Sequence, residues 1–303
     1  MVRLQTITAI PEKDSRTIRQ ALTWAVNCLK KEDLPDPRLS AELILGSVLK
    51  MDRLGLLLSS DQILPDTEAR SFKEKIFRRA GHEPIAYLLG QKEFWSLDFE
   101  VNPFVLIPRP ETELLVEEAL KCLSARQGHQ TVVELGTGSG AVAVALAKSI
   151  PDPKSRPIFA TDLSLPALET AFRNAGHHGV EAAVHFVLGD WLTPFSFKQR
   201  WIDLVVSNPP YIAEAEIFGL PPTVKNYEPL KALWGGPDGL EAIRTIIRQA
   251  GRQLKTGGRL FMEIGESQGA QVLGLARENR FEPAAILKDY AGRDRVLSAC
   301  YHG

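Results

Sequence analysis

With 303 residues, 44% of them hydrophobic and 24% charged, the chain has a soluble globular profile and is long enough for two domains. Its 36 basic and 37 acidic side chains leave a formal net charge of −1, which excludes a global basic field that would recruit nucleic acid. No stretch approaches a membrane span, the segment Met1 to Thr6 lacks an apolar signal core, and Cys28, Cys122 and Cys300 are too far apart for a metal or redox motif. A cytoplasmic location is therefore expected, with no membrane partner. The six histidines, including the His177-His178 pair, form no ligand spacing, so no metal is expected.

From Thr17 to His82 the apolar residues recur at helical spacing. Ile18, Ala21, Leu22, Ala25, Val26 and Leu29 form one stripe. Leu39, Leu43, Ile44 and Val48 form a second, after Pro35 and Pro37. Asp66 or Thr67 is placed to cap a further helix carrying Phe72, Ile76 and Phe77. Such stripes are core in the first instance. A helical domain over residues 1–83 is predicted, with a substrate-recognition role, because small helical domains attached to enzymes often contact the substrate. A connector over 84–103 follows, with a short hairpin from Glu93-Phe94-Trp95 and Leu97 to Val101. From Thr131 strands alternate with helices, the signature of a parallel α/β sheet, and 104–303 is read as one domain. Strands are predicted near 131–135, 157–161, 183–187, 202–207 and 258–264, and an antiparallel edge pair within 283–300.

Val132 to Leu135 runs into Gly136-Thr137-Gly138-Ser139-Gly140, and an Ala/Val/Leu helix starts at Ala141. Glycines there let backbone approach a ligand and lead into a helix N-terminus. Gly136-x-Gly138-x-x-Ala141 also satisfies a dinucleotide-binding pattern, and Asp162 at the end of the next strand could take the ribose hydroxyls of NAD or S-adenosylmethionine. On its own, the loop indicates an adenosine cofactor and nothing finer.

The choice comes from Asn208-Pro209-Pro210-Tyr211, which ends the apolar run Leu204 to Ser207. The Asn208 side-chain oxygen and the Pro209 carbonyl are acceptors, and the two prolines bring no competing N–H. Tyr211 adds a flat face. This group suits a planar, conjugated –NH2, whose two hydrogens go to the two acceptors while its lone pair faces an electrophile. A methyl acceptor of that kind needs a methyl donor, so S-adenosylmethionine is the expected cofactor. A Pro-rich turn following a strand would by itself mean nothing; all four residues together point to the chemistry.

Several further runs carry a family resemblance: Pro84 to Gly90, Glu93-Phe94-Trp95, Leu106-Ile107-Pro108-Arg109-Pro110-Glu111-Thr112-Glu113, Glu134 to Gly140, Asn208 to Ile212, and Gly235 to Leu240. Over nearly its whole length the chain resembles the release-factor glutamine methyltransferase family. The resemblance implies a seven-stranded, doubly wound α/β methyltransferase sheet with a small N-terminal helical domain. It also implies methylation of the glutamine amide in the Gly-Gly-Gln motif of bacterial release factors. By that resemblance Gly136, Thr137, Gly138, Ser139 and Gly140 accommodate the methionine part of the cofactor. Asp162 takes the ribose, Asp190 and Trp191 lie against the adenine, and Asn208 sits between cofactor and substrate. Pro209, Pro210 and Tyr211 complete the substrate amide site. Arg109, Glu111 and Glu113 are given a lining role, although acids at a helix start are also explained by the helix dipole.

The expected partner is a release factor, the protein substrate of a monomeric enzyme, without direct nucleic-acid contact. Three other readings remain open at this level. One is a glutamine methyltransferase acting on a ribosomal protein. Another is a nucleic-acid amino methyltransferase, which must extract its base from the stack. The last is a non-catalytic cofactor-binding or protein-interaction module.

Overall fold

The computed structural model of the chain describes residues 17–126, 128–151, 156–195 and 198–303. The segment Met1 to Thr6 lies outside these. The described residues divide into two compact units: one runs up to Gly90 and includes Pro222–Tyr227, and the other comprises Gln91–Pro221 and Glu228–Gly303.

The first unit is helical. Helix α1 (Ile18–Lys30) starts with a capping box, in which the Thr17 hydroxyl accepts from the Gln20 N–H and the Gln20 side chain accepts from the Thr17 N–H. It buries Ile18, Ala21, Leu22, Ala25 and Leu29, the expected stripe apart from the partly buried Val26. Helix α2 (Pro37–Leu49) is turned from the face predicted for it. Ala41, Ile44 and Leu45 are buried, while Leu39 is exposed and Leu43 and Val48 are half-buried. Small side chains explain the rotation, since the buried face also carries Ser40 and Gly46, which allow close backbone approach. Helix α3 (Arg53–Leu58) is capped by the Asp52 carboxylate and leaves Leu54, Leu57 and Leu58 exposed. Its Arg-Leu-Gly-Leu-Leu-Leu sequence has no amphipathic period, and the sequence did not predict it. Helix α4 (Asp66–Ala80) buries Phe72 and Ile76. It has Pro65 at its N-cap with no side-chain cap bond, in contrast to the predicted Asp66 or Thr67 cap. Asp66 and Glu68 lie instead in the first turn, where the helix dipole favours them. Helix α5 (Ile85–Leu89) follows Pro84 and ends at Gly90 with φ +74°.

The second unit opens with the hairpin β1 (Gln91–Phe94) and β2 (Leu97–Glu100). Its two turn residues, Trp95 and Ser96, have φ +55° and +56°, as a tight hairpin of this hand demands. Neither is a glycine, and local bonds hold the strained turn. Glu113 accepts from the Trp95 N–H at 2.9 Å, Glu93 accepts from the Ser96 N–H at 2.9 Å, and the Trp95 indole donates to Ser149 at 3.0 Å.

The remainder alternates: α6 (Glu113–Ser124), β3 (Val132–Leu135), α7 (Ala141–Ser149), β4 (Ile158–Asp162), α8 (Leu165–His177), β5 (Val184–Leu188) and β6 (Ile202–Ser207). Short helices α9 (Glu214–Ile217), α10 (Pro222–Lys225, which belongs to the first unit) and α11 (Leu230–Leu233) precede α12 (Glu241–Gln253), β7 (Leu254–Glu263), α13 (Gly269–Glu278), β8 (Phe281–Lys288) and β9 (Asp294–Tyr301). The strands form a seven-stranded sheet in the order β5-β4-β3-β6-β7-β9-β8, in which β9 alone runs against the others, pairing antiparallel with both β7 and the edge strand β8. Alternate residues feed two cores. Val132, Leu204 and Val206 pack with α6 and α7, whereas Val133, Leu135 and Val205 pack with α12 and α13. The strand order reverses direction between β3 and β6, the position where open α/β sheets bind ligands at their carboxyl ends.

The buried Asn174 side chain in α8 ties this edge to the hairpin. Its oxygen accepts from the Glu100 N–H at 2.7 Å, and its NH2 donates to the carbonyls of Glu100 at 3.0 Å and Ser139 at 2.8 Å. Asn174→Ala should cost roughly 2–4 kcal/mol by leaving buried polar groups unpaired, read as a lower denaturant midpoint. An unchanged midpoint would show that these three bonds do not hold the hairpin to the loop.

Candidate active site

Strands β3 and β6 pair in parallel with Leu135 opposite Ser207, and the Ser207 hydroxyl donates to the Leu135 carbonyl at 2.9 Å. The next residues, Gly136 and Asn208, therefore leave the sheet side by side although they are far apart in sequence. Between and around them lies a cavity of about 570 Å3, within the size range of small-molecule sites.

The Gly loop forms its floor. Gly136, Gly138 and Gly140 have φ of +71°, +56° and +80°, which glycine adopts without strain. At Gly140 there is a second reason, because a Cβ would lie 2.9 Å from the Ala171 Cβ in α8. The Gly136 and Thr137 N–H groups both donate to the Thr161 carbonyl at 2.9 Å. Gly136, Thr137, Gly138 and Ser139 line the cavity, whereas Gly140 caps α7 behind it.

Asp162 and Glu134 are the acids of this floor. Asp162 accepts from the Gly138 N–H on one oxygen and the Ser164 N–H on the other, each at 2.9 Å. Burial pushes its carboxyl above the ordinary range, and these N–H donors oppose that. Asp190 and Trp191 follow β5 on the cavity wall, Asp190 exposed and Trp191 half-buried. The Trp191 ring stands 3.4 Å from the position a Cβ on Gly136 would occupy, so ring and loop are packed together.

Asn208 and Pro210 line the opposite wall. Pro209 is buried and not among the lining residues. Tyr211, predicted beside the substrate, does not line the cavity either; its hydroxyl donates to Glu263 at 3.2 Å. The segment is fixed from behind. Gln268 donates to the Tyr211 carbonyl at 2.9 Å, and Ile212 exchanges backbone bonds with Leu233 and Gly235.

Two residues of the site had been given no role from the sequence. The buried Thr112 donates its hydroxyl to Glu263 at 2.7 Å and lies 3.1 Å from the Asn208 amide nitrogen. Thr112 sits inside the Leu106 to Glu113 run, an uncharged residue between Glu111 and Glu113 with no motif of its own. Glu263 ends the apolar strand β7, and an acid at the carboxyl edge of a parallel sheet was a readable signal. Arg109 lines the cavity and pairs at 2.5 Å with Glu228, whose carboxylate is buried; Glu111 is exposed, and Glu113 holds the hairpin turn.

Glu134, fully buried, accepts from the Thr137 hydroxyl at 2.6 Å and the Ala143 N–H at 3.1 Å, yet burial pushes its carboxyl up to about 8. In the unfolded chain a glutamate titrates near ~4.3. Between those values the folded protein binds more protons than the unfolded chain, so this group makes stability fall as pH rises from about 4.5 to 8. Glu134→Gln should make the slope of unfolding free energy against pH less negative in that window. A slope identical to wild type would mean Glu134 is already ionised at the lower end.

Comparison with known proteins agrees with this geometry. Residues 20–90 match the PrmC N-terminal domain family, and residues 111–219 match the methyltransferase small domain family. The chain is 42% identical over 285 residues to the release factor glutamine methyltransferase of Nitratidesulfovibrio vulgaris, covering 93% of this chain and 95% of that one. It is 43% identical over 284 residues to the enzyme of the same name from Moorella thermoacetica, covering 93% and 98%. Among solved structures, the hMettl16 catalytic domain, in complex with MAT2A 3'UTR hairpin 6, superposes with a TM-score of 0.54 at 14% identity. That match covers 78% of this chain and 82% of the other, and at such low identity it speaks for the fold alone. With relatives above 40% identity along almost their whole length, and a glycine loop and Asn-Pro-Pro-Tyr turn meeting at the switch point, the chain belongs to the release factor glutamine methyltransferase family.

Proposed function

We propose that this chain transfers a methyl group from S-adenosylmethionine to the side-chain amide nitrogen of the glutamine in the Gly-Gly-Gln motif of bacterial peptide-chain release factors, in support of translation termination. The observation that carries the reading is Asn208 on the cavity wall, next to the Gly loop and bonded to Thr112. The names of the relatives support the release factor as substrate. The near-neutral net charge favours a protein over a nucleic-acid substrate. Free thiols at Cys28, Cys122 and Cys300 agree with a reducing, cytoplasmic compartment. Among the described residues no helix is long and apolar enough to cross a membrane. A monomer acting without nucleic acid is part of the same reading.

The residues present fit the cofactor. Left-handed glycines bring the loop backbone to the cavity wall, Asp162 stands beside them with acceptor capacity left on its carboxylate, and Asp190 and Trp191 offer an acceptor and a ring. When bound, S-adenosylmethionine supplies a methyl group activated by a sulfonium charge. The chain's own part is positioning. Displacement at a methyl needs nucleophile, carbon and leaving group in line, and holding that geometry supplies most of the acceleration. An amide nitrogen gains positive character as it attacks. Acceptors at Asn208 and the Pro209 carbonyl interact more strongly with that state than with the ground state. No general base is required, because the proton leaves to water afterwards.

Residues 1–83 are read as recognising the body of the release factor, 84–103 as a connector, and 104–303 as the catalytic domain. A glutamine side chain fills only the cavity, whereas protein recognition uses about 800 Å2 per partner. Leu54, Leu57, Leu58 and Ile63 offer exposed apolar surface on this unit.

The decisive assay incubates the protein with labelled methyl donor and, separately, release factor, ribosomal protein and nucleic acid. Label should appear on the release factor, and label on ribosomal protein or nucleic acid alone would overturn the reading. Asn208→Ala should lower the transfer rate about a hundredfold with a smaller effect on cofactor affinity. Asp162→Ala should weaken cofactor binding by about 1–3 kcal/mol in calorimetric titration. Reversal of that pattern, or NAD binding by the wild type, would contradict the residue assignments. Replacing Leu57 and Leu58 together with serine should raise KM for release factor severalfold at unchanged kcat. An unchanged KM would remove this surface from recognition.

A further inference from the structure

A side-chain amide presents nearly the same shape whichever way its oxygen and nitrogen point, so packing cannot choose the orientation of Asn208. Its neighbours can. Glu263 ends β7 with a buried carboxylate that accepts from two hydroxyls, Thr112 at 2.7 Å and Tyr211 at 3.2 Å. A threonine hydroxyl has one proton. With that proton committed to Glu263, the Thr112 oxygen can only accept, and the atom of Asn208 that lies 3.1 Å from it must be the NH2. The carbonyl oxygen of Asn208 is then the end turned away from Thr112. We infer that Thr112 and Glu263 are positioning residues that fix the polarity of Asn208, so that its oxygen and not its NH2 meets the incoming amide.

This inference rests on the proposed role of Asn208. The opposite orientation would aim a donor at the substrate's –NH2, offering no acceptor and opposing the positive character that develops on the nitrogen. Glu263 acts at one remove through Thr112, and neither residue is assigned contact with the reacting atoms. These bonds join the strand ends of β6 and β7, which pair in the sheet, to the start of α6, which packs on it.

Thr112→Val keeps the shape and removes the acceptor. The Asn208 NH2 is then left against a methyl group, and the amide turns that end toward the cavity instead. In release-factor methylation kcat should fall about ten- to a hundredfold, with KM and the calorimetric Kd for the methyl donor changing less than about threefold, a split expected when only the polarity of Asn208 is altered. Thr112→Ser, which keeps the hydroxyl, should restore kcat to within a few-fold of wild type. In an Asn208→Ala background Thr112→Val should cost little more, because the group it orients is gone. A wild-type kcat in Thr112→Val, equal losses in the Ser and Val variants, or full additivity with Asn208→Ala would overturn the inference. Failure of the wild type to methylate release factor would instead overturn the proposed function, so the two outcomes are separable.

Discussion

Because β3 and β6 pair in parallel, with Leu135 opposite Ser207, the Gly loop and the Asn-Pro-Pro-Tyr turn leave the sheet as neighbours, and the remaining site geometry follows from that pairing. The strand order reverses at this point, so no crossover helix covers the gap, and a cavity opens there. β4 on one side contributes Asp162, and β7 on the other contributes Glu263. Asp162 and Glu263 thus come from the ends of strands whose positions are set by backbone hydrogen bonds, a more rigid support than a loop alone provides.

The electrostatics of the site follow from burial. Glu134, Asp162 and Glu263 all lie at the carboxyl edge, and burial pushes each carboxyl above its ordinary range. Each accepts from specific donors: Thr137 and Ala143, Gly138 and Ser164, Thr112 and Tyr211. Each therefore organises a piece of chain. Arg109 is paired with Glu228, which leaves the exposed Lys231 as a lysine on the cavity wall.

Much of this was legible in the sequence because it is local. The α1 stripe, the seven strands and the Gly loop are periodic or motif-bearing segments, and they lie where the periodicity put them. What was not legible depends on long-range pairing. Thr112 meets Asn208 and Glu263 only after α6 has packed on the sheet, and Tyr211 meets Glu263 only through the pairing of β6 with β7. The rotated face of α2 was missed because small residues, not large ones, decide how closely helices approach. Tyr211 was expected to stack on the substrate, but a phenol next to a buried carboxylate bonds to it first.

A crystal structure of the protein with S-adenosylhomocysteine and a peptide containing Gly-Gly-Gln tests the central claim most directly. The account predicts the glutamine amide nitrogen within hydrogen-bond distance of both the Asn208 oxygen and the Pro209 carbonyl, with the Asn208 NH2 still on Thr112. A peptide amide bound elsewhere in the cavity, or facing the Asn208 NH2, would contradict it.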